Sequence, residues 1–340
     1  MGVIYGRAIT AGGGKGSEVI VNTEAGATVT AVLGSTTVTA VADSAGKAAL
    51  KLSKEGNWTI SATIDGAQSN TVTVTVPQFY SLPFAPTAST APKPGVSYTD
   101  GLTGLTAEDV SKYAEAISNN SSITNTTSTV YIDDGSVHRK VSVGDQVTLS
   151  LDGTDYAFDV IGFNHDDLTT PTAYGAATAT GKAGITFQMH DLFATTYQMN
   201  SSNTNSGGWK SSAMRTSTMA TMKGYMPAEW QTAIKPVNKA SGTGGDSSSG
   251  TETVSDNCFL LAEIEIFGST SHSVSGEGTQ YAYYKAGNSK VKNKGGSTAG
   301  WWERSPQFDN SSRFCAVDSS GDARVLGASV STGVAFGFCV

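Results

Sequence analysis

Residues 295–340 read GGSTAGWWERSPQFDNSSRFCAVDSSGDARVLGASVSTGVAFGFCV, and three kinds of residue alternate in them. Trp301, Trp302, Phe314, Val317, Val334, Phe336 and Phe338 are apolar, and Asn310, Ser311, Ser312, Ser319, Ser320, Gly321 and Gly327 are turn formers. Asp309, Arg313, Asp322 and Arg324 are charged and sit between them. Phe314–Val317 predicts a strand, Asp318-Ser-Ser-Gly321 a tight turn, and Val334–Val340 a closing strand. Phe336, Phe338 and Val340 alternate as a half-buried strand does, so this end of the chain is expected to be tied into a sheet. On that pattern Trp301, Trp302, Phe314, Phe336 and Phe338 are framework. Phe308, Asp309, Arg313, Asp322, Arg324, Leu326 and Ser329 lie in turns or opposite the apolar positions and are expected to be exposed.

Upstream, Val130–Asp133, Val141–Gln146, Val147–Leu151, Tyr156–Phe163 and Ile185–Gln188 read as further strands, broken at Asp133-Asp134-Gly135 and Asp152-Gly153. His165-Asp166-Asp167 follows a strand. One histidine and two adjacent carboxylates fall short of a metal-ligand set, so the segment reads as a strand-end turn. Met214, Ser217/Thr218 and Met222 fit one helix face. Pro227, Trp230 and Ile234 fit a second helix that starts at its proline, and the methionines read as core. The run 257–268 is the most apolar segment; Cys258 in it reads as a small buried hydrophobe. Segments 200–208, 240–251, 269–278 and 286–300 read as Ser/Gly/Thr/Asn-rich loops. The last neighbours Lys285, Lys290, Lys292 and Lys294, a solvated basic patch with an anionic glycan as the sharper alternative.

Towards the N-terminus, Glu18–Val21, Thr28–Leu33, Thr36–Val41, Ala48–Leu52, Trp58–Ile64 and Thr71–Val76 are short Val/Thr/Ile runs separated by turn signals. Strands at this spacing predict an all-β sandwich of immunoglobulin type with Trp58 as core aromatic, a spacer or docking module. Pro77–Tyr98 is proline-rich and reads as a stiff linker. A helix follows, opened by Thr106-x-x-Asp109 and carrying Val110, Tyr113, Ala114 and Ile117 at helical spacing. Its stripe is expected to pack on the following domain or to meet copies of itself. The organisation expected is therefore 1–77 sandwich, 78–130 linker and helix, and 131–340 a C-terminal domain whose segment 297–340 carries the variable-looking face.

Charged residues make up only 15% of the 340-residue chain and there are 39 glycines, a composition of loop-rich β structure. A net charge of −7 argues against nucleic acid as a partner. No apolar run approaches the roughly 18 residues of a membrane span, and the first residues, MGVIYGRAITAGGGKG, lack the apolar core of a signal peptide. The four histidines show no triad order or shared-face spacing. No complete ligand set is visible, so no metal or organic cofactor is expected, and the chain is read as a non-enzyme. Cys315 and Cys339 read as buried thiols, with a disulfide left open should their strands pair.

Trp301-Trp302-Glu303-Arg304-Ser305-Pro306 resembles the WWLRSP signature of a C-type-lectin-like domain family common in tail proteins of phages of gut bacteria, with Glu303 in place of the usual leucine. Gly333–Val340, the Trp209…Met214-Arg215 phrase and the FLLSE-like run at 257–268 extend the resemblance from near Val141 to the end. Gly56-Asn-Trp58-Thr-Ile60 with Val72–Val76 is similar to phage and bacterial immunoglobulin-like spacers. Some family members resemble variable proteins of diversity-generating retroelements. In keeping with adenine mutagenesis, lysine is absent after Lys294, while Arg304, Arg313 and Arg324 are half of the six arginines. The resemblance implies a virion protein, made in a host cytoplasm, that binds a host-surface protein or glycan through Phe308, Asp309, Arg313, Asp322, Arg324, Leu326 and Ser329. Other virion proteins and further copies of itself, a trimer first, are the remaining partners expected. The alternative is a structural capsid or tail decoration; a glycan-active enzyme stands third.

Overall fold

A computed structural model describes residues 7–9, 17–69, 71–76, 85–134, 137–245 and 250–340. The chain is β-rich, with its strands in several sheets, and divides into two units, Met1–Leu82 and Pro83–Val340.

In the first unit β1 (Arg7–Ile9), β2 (Ser17–Asn22) and β5 (Lys47–Leu52) form one antiparallel sheet. β3 (Thr28–Leu33), β4 (Thr36–Val41), β6 (Gly56–Ile64), β7 (Ala67–Gln68) and β8 (Val72–Val76) form the second, with β8 also on β6. Alternation does the folding. Ala48, Leu50 and Leu52 of β5 and Trp58, Ile60 and Ala62 of β6 all point into one core, as period-2 patterning requires. Trp58 is fully buried and donates its Nε1–H to the Lys54 carbonyl at 2.9 Å. Among the described residues this core holds only apolar side chains.

The second unit opens with β9 (Thr87–Ser89), β10 (Thr99–Asp100), α1 (Ala107–Ser118), β11 (Thr129–Asp133) and β12 (His138–Ser142); its first sheet runs β10-β12-β11-β9. This corrects the reading of Pro77–Tyr98 as a linker. Residues 77–84 lie outside the described residues, but Thr87–Ser89 pairs with β11. Pro86 and Pro92 flank the pairing residues without entering them, and an edge strand tolerates such neighbours. The helix is as its sequence predicts, Thr106 and Asp109 capping one another. Its stripe of Val110, Tyr113, Ala114 and Ile117 is buried within the unit's own core. Gly184 permits that seating, because a Cβ there would lie 1.9 Å from the Ala114 carbonyl oxygen.

The central sheet, ordered β13-β14-β15-β24-β18, combines β13 (Gln146–Leu151), β14 (Thr154–Phe163), β15 (Ile185–Met189), β18 (Cys258–Phe259) and β24 (Gly337–Cys339). The strand expected over 141–146 is interrupted at Gly144, which adopts φ +96°, so its halves belong to β12 and β13. α2 (Gly208–Ser211), a π-helical turn (Met214–Thr218), α3 (Met219–Tyr225) and α4 (Ala228–Ala233) supply Trp209, Met214, Met222 and Trp230 to the core. Residues 237–256 form the hairpin β16 (Val237–Gly242) and β17 (Thr251–Asp256), so the segment 240–251 is partly strand; 246–249 lie outside the described residues. The apolar run at 257–268 is only briefly a strand. It turns into α5 (Glu263–Phe267) because Glu265 caps the Ala262 N–H at 3.0 Å and Gly268 ends the helix at φ +75°.

After α6 (Ala282–Lys285) come β19 (Lys292–Lys294) and β20 (Ser297–Ala299), a hairpin within the segment read as a loop. It turns at Gly295-Gly296, where both residues have positive φ, the backbone that two-residue hairpin turns demand. β21 (Trp301–Pro306), β22 (Arg313–Val317) and β23 (Ala323–Gly327) make a separate three-stranded sheet. The closing strand β24 is buried on both faces rather than one: it lies between β15 and β18, with every residue of 333–340 buried. No helix among the described residues is long and apolar enough to cross a membrane.

Candidate binding face and the polar core beneath it

Trp301, Trp302, Phe314, Phe336 and Phe338 are all fully buried, the framework the pattern called for. Against it Asp309, Arg313, Asp322 and Arg324 are exposed, and Phe308, Leu326 and Ser329 are half-buried. The pairing of β22 with β23 divides these seven. Phe314 faces Leu326 and Ala316 faces Arg324, while Arg313 faces Gly327. Directly paired residues share a sheet face, so Arg313 lies on the opposite face from Arg324 and Leu326. Leu326 packs against the core, which makes it part framework. The candidate surface is thus two patches. One is Phe308, Asp309, Arg313 and Ser329 on the loops; the other is Asp322 and Arg324 beside the hairpin tip.

The loop patch is held by asparagines from 200–208, a segment whose composition offered nothing to pack. Asn205 is fully buried; its Nδ2 donates to the carbonyls of Asn310 and Arg313 at 2.8 Å and of Gln307 at 3.2 Å, and its Oδ1 accepts from Gly245 N–H at 2.8 Å. Asn203 Oδ1 accepts from the Ser329 N–H and hydroxyl at 3.1 and 2.7 Å. The tip is held by Asp318, whose Oδ1 accepts from Ser320 N–H at 2.8 Å and Asp322 N–H at 3.0 Å. Those backbone N–H groups keep its carboxyl below the usual range.

Arg304, grouped by sequence with the arginines of the variable-looking tail, is framework. It is fully buried, pairs through both terminal nitrogens with Glu265 (2.5 and 2.9 Å), and donates to the carbonyls of Ala240, Leu260 and Glu277. Lys239 Nζ joins this network at 2.7 Å from both Glu265 Oε1 and Asp166 Oδ1, and at 3.1 Å from the Tyr281 hydroxyl. Burial pushes the Asp166 carboxyl up, but Lys239 and His165 outweigh it and hold the group well below the usual range. Arg304 and Lys239 likewise outweigh burial at Glu265. The strand-end turn at 165–167 therefore delivers a buried carboxylate. His165 stacks on Tyr281, and its Nε2 lies 3.0 Å from the Thr279 carbonyl, which can only accept from it, and 3.2 Å from the Thr279 hydroxyl. His165, Asp166, Lys239, Glu265, Thr279 and Arg304 line a cleft of about 380 Å³. A signal was present in the sequence at Glu265, a charge inside an apolar run, which has to be paired.

Glu303 lies next to this network without joining it. It is fully buried and neither carboxyl oxygen has a hydrogen-bond partner. Burial, with Glu263 and Glu277 nearby, pushes its carboxyl well above the usual range. Glu263 and Glu277 are themselves bonded, the first to the N–H groups of His272 and Ser273, the second to Gly242 N–H, Ser241 and Ser305.

The three cysteines are free and buried. Cys315 and Cys339 sit in β22 and β24, which belong to different sheets, so the disulfide left open by the sequence is not made. Burial pushes the Cys258 thiol up to about 12 and the other two well above the usual range. Of the basic patch, Lys292 is buried, donating to the carbonyls of Met189 (2.5 Å) and His190 (3.0 Å), and burial lowers it to about 8. It does not face an anionic glycan. Among the described residues no three His, Cys, Asp or Glu side chains are grouped to hold a metal ion.

Residues 183–340 match the model of a family described as a domain of unknown function, DUF6273. The match takes in β15 to β24, and with them both surface patches and all of the polar core except His165 and Asp166. No curated protein matches the chain.

Proposed function

We propose that the protein is a virion-associated phage adhesin, built from an immunoglobulin-like N-terminal domain and a C-type-lectin-like C-terminal domain that binds a host-surface protein or glycan. The observation that carries this reading is the contrast within 301–340. Trp301, Trp302, Glu303, Arg304, Phe314, Phe336 and Phe338 are wholly buried, while Phe308, Asp309, Arg313 and Ser329 are presented between them on backbone pinned by Asn203 and Asn205. Loops that vary in side chain on an invariant backbone are the design of a paratope. A half-buried aromatic and an exposed guanidinium on one held segment are the composition of a binding hot spot. Host contact would be weak per site and strengthened by several copies on one particle.

Two exchanges test it: Phe308, Asp309, Arg313 and Ser329 replaced together, and separately Asp322 with Arg324. Either set changes exposed or half-buried positions only, where each substitution usually costs under about 0.5 kcal/mol, so Tm stays nearly unchanged. The expected result is loss or redirection of adhesion to host cells with the first set and a smaller effect with the second. Full adhesion after both exchanges overturns the receptor-site reading and favours a structural decoration of the particle.

A further inference from the structure

We propose that Lys239 and Asp166 condense within the folded chain to an intramolecular amide, a self-made cross-link between β16 and the β14–β15 connection. Three further polar groups converge on the reacting pair. Lys239 Nζ lies 2.7 Å from Asp166 Oδ1, which puts the carboxyl carbon bonded to that oxygen at about 3–3.5 Å, the range of a near-attack pose. Glu265 Oε1 is 2.7 Å from the same nitrogen. The Tyr281 hydroxyl donates to both Asp166 oxygens at 3.0 and 2.9 Å, and the Thr186 hydroxyl to Oδ2 at 2.7 Å. Lys239 is 1% exposed and Asp166 4%, with the ammonium 4.3 Å from the centre of the Phe259 ring and 5.5 Å from that of Tyr281.

Desolvation penalises both charges of this buried pair, which lowers the cost of reaching its neutral form relative to water. Proton transfer along the Nζ–Oδ1 hydrogen bond gives the amine and the carboxylic acid with no change in net charge. The amine lone pair adds to the Asp166 carboxyl carbon, and charge developing on Oδ2 meets the Thr186 and Tyr281 hydroxyls, which are already oriented. Glu265 takes the second proton from nitrogen; Arg304, paired to it, keeps it a carboxylate able to do so. The proton then passes to the departing Oδ1 hydroxyl, the C–O bond breaks and water leaves by the adjoining cleft. Ammonium plus carboxylate becomes amide plus water, Glu265 is restored, and no oxidant, metal or outside reagent takes part. The ion pair is the resting state, since Lys239 and His165 favour ionised Asp166, so the bond forms slowly after folding. Glu265 and Tyr281 are the catalytic residues of this step.

The test is the mass of the full chain, incubated folded and then denatured. The expected value is the sequence mass less one water, and trypsin should release a branched peptide joining the Lys239 and Asp166 segments. Lys239→Arg should restore the full mass, and Glu265→Gln should slow or abolish the loss with both reacting residues present. Should either variant misfold, the wild-type mass and peptide map still decide. A wild-type chain that stays at full sequence mass overturns the proposal. So does a water loss that maps elsewhere, for instance to a succinimide at Asp152-Gly153.

Discussion

Glu303 is where the residue scale is most informative. The resemblance of its neighbourhood to WWLRSP made position 303 an expected leucine, and the fold treats it as one: fully buried, both oxygens unbonded. A buried polar group without a partner costs about 1–3 kcal/mol, so Glu303→Leu is expected to stabilise the second unit by that order at pH 7. The sign of its pH dependence follows from the raised carboxyl. Below the unfolded value of about 4.3 both states hold the proton and burial carries no ionisation penalty. As pH rises above it the unfolded chain ionises while the folded one does not, and stability falls until the folded value is passed. Urea unfolding of both proteins at pH 4 and pH 7 should therefore show a smaller gain at pH 4. An equal gain at both, or a loss at pH 7, would mean that Glu303 is ionised and paired. Through the resemblance the sequence marked 303 only as a leucine position; that its carboxyl is buried and unpaired was not legible, because partners are set by long-range contacts.

At the scale of elements, what could be read was what repeats locally. The strand β22 with the turn after it, the α1 cap and stripe, and six of the first unit's eight strands follow from period-2 or period-3.6 patterning and turn chemistry. What could not be read was how a strand end is satisfied across the sequence. The asparagines at 203 and 205 looked like low-complexity loop, yet they tie 200–208 to 307–313 and 327–329 across more than a hundred residues. The two sheet faces of the Arg313 and Arg324 patches depended on register, which alternation on one strand does not fix. Asn205→Ala is expected to lower stability by about 1–3 kcal/mol, since four backbone groups lose a partner. It should also speed amide exchange through 307–313 and, on the adhesin reading proposed above, weaken adhesion from a fully buried position. Unchanged exchange in that window would show that the loop patch holds its shape without the strut.

For the whole molecule the deciding observation is that the two units have separate cores. The buried residues of the first, from Val19 to Ala62, form one cluster and those of the second, from Ala88 to Val340, another. Sequence alone set the start of the C-terminal domain at 131, because proline at 77–98 reads as linker and a lone helix reads as an accessory. The structure puts α1 inside the second core: Val110, Ala114 and Ile117 are fully buried there with Val130 and Ile132 of β11, and β9 completes the sheet edge beyond β11. A chain beginning at Pro83 keeps all of these and should fold on its own with one cooperative unfolding transition. A chain beginning at residue 131 loses β9, β10 and α1. It uncovers Gly184 and the apolar faces of β11, and truncating even one such core contact to alanine typically costs 2–5 kcal/mol, so losing a whole helix face exceeds the usual 5–15 kcal/mol stability of a domain. Expressed side by side, the 83–340 chain should be recovered folded, with near-UV circular dichroism and a sharp urea transition, and the 131–340 chain should be aggregated or lack both. A folded 131–340 chain would show that α1 and its strands are an accessory layer and would restore the boundary read from the prolines.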